Sequence, residues 1–353
     1  MNHWIEHLST LGARFHADEA SQIEDFGRVL TPSDLAAGFV APLTDLGLIA
    51  VAGDDAAAFL HNQLTNDVEH LGTGEARLAG YCTPKGRLQA TFLMWRDADN
   101  VYLQLPRAIQ APLQKRLSMF VLRAKAKLRD ATDEAATGAV LGLGGAKAFE
   151  ALAARLGVAL PDAPYRTVAG EFGTVIRLAD AFGAPRLLWV SAPETAIAAL
   201  GALQPALALG GNAAWQLSQI HAGVPQVALA TQEQFVPQMI NFELIGGVNF
   251  KKGCYPGQEI VARSQYLGKL KRRMALATLE DAAARAGDEV YASDDPSQPS
   301  GMIVNAAPNG LGGADALVEI KLAALEHEVR HGAPGGTLLR FQPLPYPVDA
   351  PEA

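Results

Sequence analysis

Two periods of apolar residues run along the chain, and the places where one gives way to the other divide it into three stretches. Residues 46–53 (LGLIAVAG) form a continuous apolar run that reads as a buried strand, followed by Asp54 or Asp55 as the cap of a helix through Ala56, Phe59, Leu60 and Leu64. That helix is expected to end near Thr65, Asn66 and Asp67. Residues 87–95 and 100–105 are strand-like runs joined by a polar turn at 97–100, the pattern of a hairpin. Pro106 then opens a helix whose apolar stripe is Ile109, Leu113, Leu117 and Phe120. Residues 121–129 alternate, which predicts a strand with Arg123, Lys125, Lys127 and Arg129 on one face.

The second stretch repeats the mixture. Residues 140–147 (VLGLGGAK) have the first two glycine spacings of a dinucleotide-binding turn, but Lys147 stands at the third position. The run therefore predicts a strand, a glycine turn and a helix over 146–156, without a nucleotide site. A turn-rich connector at 157–164, paired strands over 168–191 and an alanine-rich helix over 194–203 follow. Another helix spans 212–222, carries Trp215 and stops at Gly223 and Pro225. From Gly268 onward the pattern changes to short strands at 274–279, 289–292, 301–305, 316–320 and 336–341, separated by Gly, Pro, Asp and Asn. That is a small β-barrel or sandwich. The fold class expected is α+β in three portions, 1–135, 136–267 and 268–353, the last ending in the proline-rich, extended tail PLPYPVDAPEA.

Composition narrows the function. With 49% hydrophobic and 19% charged residues the chain is globular throughout. No apolar run approaches the roughly 18–20 residues of a membrane span. The N-terminal MNHWIEHLST carries an acid where a signal peptide needs a basic and then an apolar run, so a cytoplasmic protein without membrane contact is expected. Cys82 and Cys254 are the only cysteines, too few for a disulfide framework or a four-thiolate cluster, so no stoichiometric metal is expected.

The net charge of -8 argues against a protein that coats nucleic acid. Locally the balance reverses: residues 107–129 hold seven bases and no acid, and residues 251–273 hold seven bases and one acid, Glu259. The two islands suit an anion such as a polyglutamyl tail or an RNA backbone, or they are solvated faces. No known RNA-binding motif interleaves aromatics with them, which ranks direct tRNA binding low.

The chemistry concentrates in 235–273 (FVPQMINFELIGGVNFKKGCYPGQEIVARSQYLGKLKRR). Pro256 reads as a first helical residue, placing Cys254 just before a helix start. There the helix partial charge, Lys251 and Lys252 favour a thiolate, and Gly253 and Gly257 admit a close backbone approach. The alternative is a small cysteine filling a glycine turn. Glu259 and Arg263 are four apart and can pair on one helical face; Glu259 can instead accept from the amino-pyrimidinone edge of a pterin. Trp215 can stack on a pterin or serve the core.

Lys252-Gly253-Cys254-Tyr255-Pro256-Gly257-Gln258-Glu259 resembles the K-G-C-Y-x-G-Q-E motif of the YgfZ family, folate-binding relatives of the glycine-cleavage T-protein. The likeness continues through Phe235, Pro237, Gln238, Asn241, Gly246, Gly247 and Phe250, and through residues 63–68 (QLTNDV). It implies an aminomethyltransferase-like three-part ring around a central cavity that takes tetrahydrofolate or another reduced folate. Cys254 maps onto the motif cysteine, and Trp215, Tyr255, Gln258, Glu259 and Arg263 become folate contacts. A second family tryptophan falls at Leu46. The family's implied role is assembly or repair of iron-sulfur enzymes, with a tRNA methylthiotransferase among the client partners. A working aminomethyltransferase is the alternative, and the T-protein aspartate that it requires is replaced in the run 85–90 by Gln89 and Ala90.

Overall fold

The computed structural model describes residues 3–16, 22–268 and 270–348. Lys269 of the second basic island and the last five residues of the tail lie outside them.

The first sheet has five antiparallel strands in the order Ala76–Cys82, Leu88–Arg96, Asn100–Pro106, Leu46–Ala52 and Lys127–Asp130. The run at 46–52 is apolar without interruption because both of its faces are covered. Ile49 and Val51 face the helices Ala56–His61 and Arg107–Ser118, while Leu48 and Ala50 join a core shared by the whole molecule. Ile109, Leu113 and Leu117 bury that stripe of the longer helix, each contributing about 1.5–3 kcal/mol relative to exposure.

The second sheet runs Thr167–Gly170, Gly173–Ala181, Ala184–Ser191, Ala139–Gly144, Phe39–Pro42 and Ala208–Leu209. Helices His3–Thr10, Ala148–Leu156 and Pro193–Leu203 cover one face. The helix Asn212–His221 lies on the other and packs against the barrel strand Gly301–Pro308. The third sheet orders Val329–His331, Glu289–Ala292, Gly301–Pro308, Ala314–Lys321, Arg272–Leu279 and Leu339–Gln342. A bridge from Arg330 to Leu338 brings its two edges together, so this sheet is a nearly closed barrel. The common core draws on all three portions, with Leu46 and Trp95 from the first, Leu188 and Trp215 from the second, and Met274 and Leu317 from the third.

Several elements depart from the sequence pattern. The predicted strand 121–129 is reduced to Lys127–Asp130, because its partner Leu46–Ala52 turns away at Gly53 and the pairing ends at Ala52 with Lys127. The preceding residues form a loop in which Leu122 adopts a left-handed φ of 48° and is 88% exposed. Phe120 lies past the helix end and is exposed. The helix at 56 stops at His61, and Leu64 instead bridges to Tyr81. Pairing of Phe39–Pro42 with Ala139–Gly144 carries the N-terminal arm onto the second sheet, so the boundary near 135 divides sequence more cleanly than structure. Val329–His331 is a barrel strand too short to leave a periodic signature.

Candidate functional site

Where the three portions meet, a cavity of about 580 Å³ opens between Asp45, Leu46 and Arg107 of the first, Trp215 and Gln219 of the second, and Arg285 and Asn305 of the barrel. A smaller space of about 40 Å³ reaches Thr91, Tyr165 and Arg186 and shares the Leu46, Trp215, Gln219 and Gln226 walls. Trp215 is seated by Gly142, where a Cβ would strike its ring at 2.3 Å. Gln219, one turn on, projects to the same side because residues four apart share a helix face.

Arg186 is 1% exposed, and its guanidinium donates to the Ala179 carbonyl and to the side chains of Gln219 and Ser218. No carboxylate lies within 4 Å of it among the described residues. Burial, with Arg177 adding to the effect, pulls its pKa down to about 10. Gln216 donates to Asp45 at 2.8 Å, holding a carboxylate at the opposite wall. A flat indole, two amides, a carboxylate and a buried guanidinium suit a planar heterocycle with adjacent donors and acceptors. Asp45, Arg186 and Gln219 escaped the sequence reading. The available signals were the four-residue spacing of Gln219 from Trp215 and a lone arginine heading the apolar run 187–190.

The glycine-cysteine motif lies elsewhere, against the first portion. Gly257 has φ 82° and caps the helix Gln258–Tyr266, so Pro256 belongs to the turn ahead of it and is not its first residue. A Cβ at Gly257 would stand 2.4 Å from the Thr83 carbonyl oxygen, which fixes this helix against the turn 83–86. Lys252 reaches across 191 residues of sequence to donate to the carbonyls of His61 at 2.6 Å and Leu64 at 3.0 Å, with its ammonium 4.7 Å from the Tyr255 ring centroid. Desolvation lowers its pKa to about 8, against the opposing pull of Asp67, Cys254 and Glu69. The lysine thus serves first as a cap for the carbonyls after a helix end and only second as a charge beside the thiol.

Cys254 is exposed, and Cys82 is buried, with burial pushing its thiol up to about 12. Tyr255 is buried, and burial raises its phenol. Gln258 is half-buried, whereas Glu259 and Arg263 are exposed and form no ion pair with each other among the described residues. Tyr255, Gln258, Glu259 and Arg263 line neither space beside Trp215. The residues lining the two spaces beside Trp215 and the motif residues Cys254, Tyr255, Gln258, Glu259 and Arg263 are thus different sets, and the motif helix is keyed to the turn 83–86. Gln89 and Ala90 line neither space; on that strand Thr91 does, and it is not a carboxylate.

No family model matches the chain. The tRNA-modifying protein YgfZ of Pectobacterium carotovorum subsp. carotovorum (strain PC1) is 30% identical over 322 residues, covering 89% of this chain and 94% of that protein. The protein of the same name from Edwardsiella ictaluri (strain 93-146) is 32% identical over 311 residues, covering 86% and 91%. Among solved structures, the glycine cleavage system aminomethyltransferase T from Bartonella henselae superposes with a TM-score of 0.76 at 16% identity, over 95% of this chain and 94% of that one. That likeness establishes the aminomethyltransferase fold. With the motif 252–259 in place and identity sustained along nearly the whole length, the chain belongs to the YgfZ family.

Proposed function

We propose that this protein binds a reduced folate in the three-walled cavity and acts as an accessory factor for assembly or repair of iron-sulfur enzymes, among them one that methylthiolates tRNA. The observation that carries the binding half is the cavity itself, whose volume of about 580 Å³ and mixed lining suit a ligand with a flat polar ring. Trp215 would stack on the pterin, Asp45 and Gln219 would meet its hydrogen-bonding edge, and Arg107 and Arg285 would meet the anionic glutamate end. The folate would supply a one-carbon carrier; the protein's own groups orient it and exclude water. The accessory half rests on the relatives, which are named as tRNA-modifying proteins.

The T-protein reaction finds less support. Holding positive charge on a folate nitrogen calls for a carboxylate on the strand after the glycine turn, and residues 89–91 supply none. Quenching of tryptophan fluorescence by tetrahydrofolate, lost in Trp215→Ala, tests the site. The accessory role is tested by tRNA methylthiolation in a deletion strain complemented with the wild-type chain or Trp215→Ala. Full complementation by a variant that no longer binds folate would separate the two halves of the reading.

A further inference from the structure

The space of about 40 Å³ beside Trp215 is lined by Arg186, a residue 1% exposed. Burial lowers its pKa only to about 10, so the guanidinium stays charged at neutral pH. Asp180 is the one acid that acts on this charge, and its carboxylate is paired with Arg177. Nε donates to the Ala179 carbonyl, and Nη1 donates to Gln219 and Ser218. Nη2, which carries two N–H groups, has no acceptor among the described residues. The Trp215 ring, 5.1 Å from the guanidinium carbon, offsets part of the charge, but a cation this deeply buried calls for an anion.

The other polar walls of the same space add donors. Gln219 accepts from Nη1 through Oε1, which leaves its Nε2 to donate. Tyr165 has a left-handed φ of 61°, with its N–H on the Arg177 carbonyl at 2.6 Å and its own carbonyl accepting from Ala76 at 2.8 Å, and this backbone brings its side chain to the space. Burial pushes the phenol up to about 12 against the pull of Arg186, so the hydroxyl keeps its proton. That hydroxyl, Gln219 Nε2 and the side-chain amides of Gln104 and Gln226 make no hydrogen bond among the described residues. No carboxylate is among the lining residues.

We propose that the space beside Arg186 binds a small carboxylate, either a free acid of one or two carbons or the carboxylate end of a larger ligand in the adjoining cavity. Arg186 supplies the charge and the Nη2 donors, and the Tyr165 hydroxyl and Gln219 Nε2 supply neutral ones. A neutral carbonyl would accept from Nη2 but leave the buried charge uncompensated. A volume of about 40 Å³ admits formate or acetate and not a bicyclic ring, for which the cavity of about 580 Å³ remains. The inference goes beyond the folate reading and does not depend on it.

The test is a titration of the intact protein with carbon-13 formate, read from broadening of its NMR line, beside formamide as the uncharged isostere. Formate is expected to saturate, with formamide binding about tenfold more weakly or worse, and Arg186→Met is expected to cost formate about tenfold or more. Tyr165→Phe should weaken formate by about two- to tenfold, the value of one hydrogen bond. No saturable formate binding, equal binding of the two probes, or unchanged formate affinity in Arg186→Met would overturn the proposal, the first meaning that water alone fills the space. If urea unfolding shows that Arg186→Met does not fold, Tyr165→Phe decides: weakened formate binding supports the site, and unchanged binding overturns it. Competition distinguishes the two sources of the carboxylate. Displacement of formate by tetrahydrofolate but not by tetrahydropteroate, which lacks the glutamate, assigns the site to the end of a larger ligand, and displacement by neither assigns it to a free acid. Displacement by both would show a ring filling the space and overturn the proposal.

Discussion

The Arg186 guanidinium carbon lies 5.1 Å from the centroid of the Trp215 ring, so the indole lining the central cavity is backed by a buried cation. The stack fixes the ring plane before any ligand arrives. Removing the ring should therefore cost the interaction itself. Trp215→Ala is expected to weaken tetrahydrofolate binding by about 1–3 kcal/mol, the usual value of stacking a heterocyclic base on an aromatic side chain. Titration calorimetry checks this, and an affinity within twofold of wild type would remove the ring from the site.

The motif's second glycine makes a separate prediction. Gly257 combines φ 82° with 2.4 Å between a built Cβ and the Thr83 carbonyl oxygen. Gly257→Ala therefore meets both backbone strain and a backbone clash, and is expected to destabilise the fold by more than about 1–2 kcal/mol. Gly253→Ala, where the Cβ meets only His61 Nε2 at 3.6 Å, should cost much less. Urea unfolding of the two variants gives the comparison; equal losses would contradict the packing described.

How much of this was legible in the sequence depends on how local each cause is. The helix with Trp215 is bounded by its own Gly223 and Pro225, and the strand at 46–52 by its own glycine and aspartates, so both could be read directly. The loop at 121–126 could not, since its alternation imitates a strand and only the turn at Gly53 denies it a partner. The motif was readable as a motif, but its neighbours were not. His61 meets it across nearly two hundred residues, and the cavity exists only once three portions pack.

The two cysteines should differ in reactivity. Cys254 is exposed, while Cys82 is 1% exposed and its thiol is pushed up to about 12 by burial. Limiting iodoacetamide near neutral pH is expected to label Cys254 first, as read from tryptic peptides by mass spectrometry. Since Cys254 does not line the cavity, saturating folate is expected to leave that rate unchanged; strong protection would indicate coupling between the two sites.

The last prediction concerns the tie between the Trp215 helix and the barrel. His221, the final residue of that helix, lies with Nε2 2.6 Å from Asp315 Oδ2, and Thr278 and Asn309 donate to Oδ1 at 2.8 and 3.1 Å. Burial pushes the Asp315 carboxyl up, but these three partners together pull it below its ordinary value. A carboxyl whose folded pKa is lowered binds fewer protons in the folded state than in the unfolded one. Its contribution is therefore fully present above the unfolded value of about 3.9 and is lost as pH falls through the folded value. Asp315→Asn removes one partner of a buried pair and is expected to cost about 3–5 kcal/mol at neutral pH. The cost should shrink below about pH 4, because the wild-type carboxylate is then itself being protonated. Urea unfolding of both proteins at about pH 7 and about pH 3 measures the two gaps. A gap that stays the same at both values would show that Asp315 stabilises the interface by packing and not by its charge.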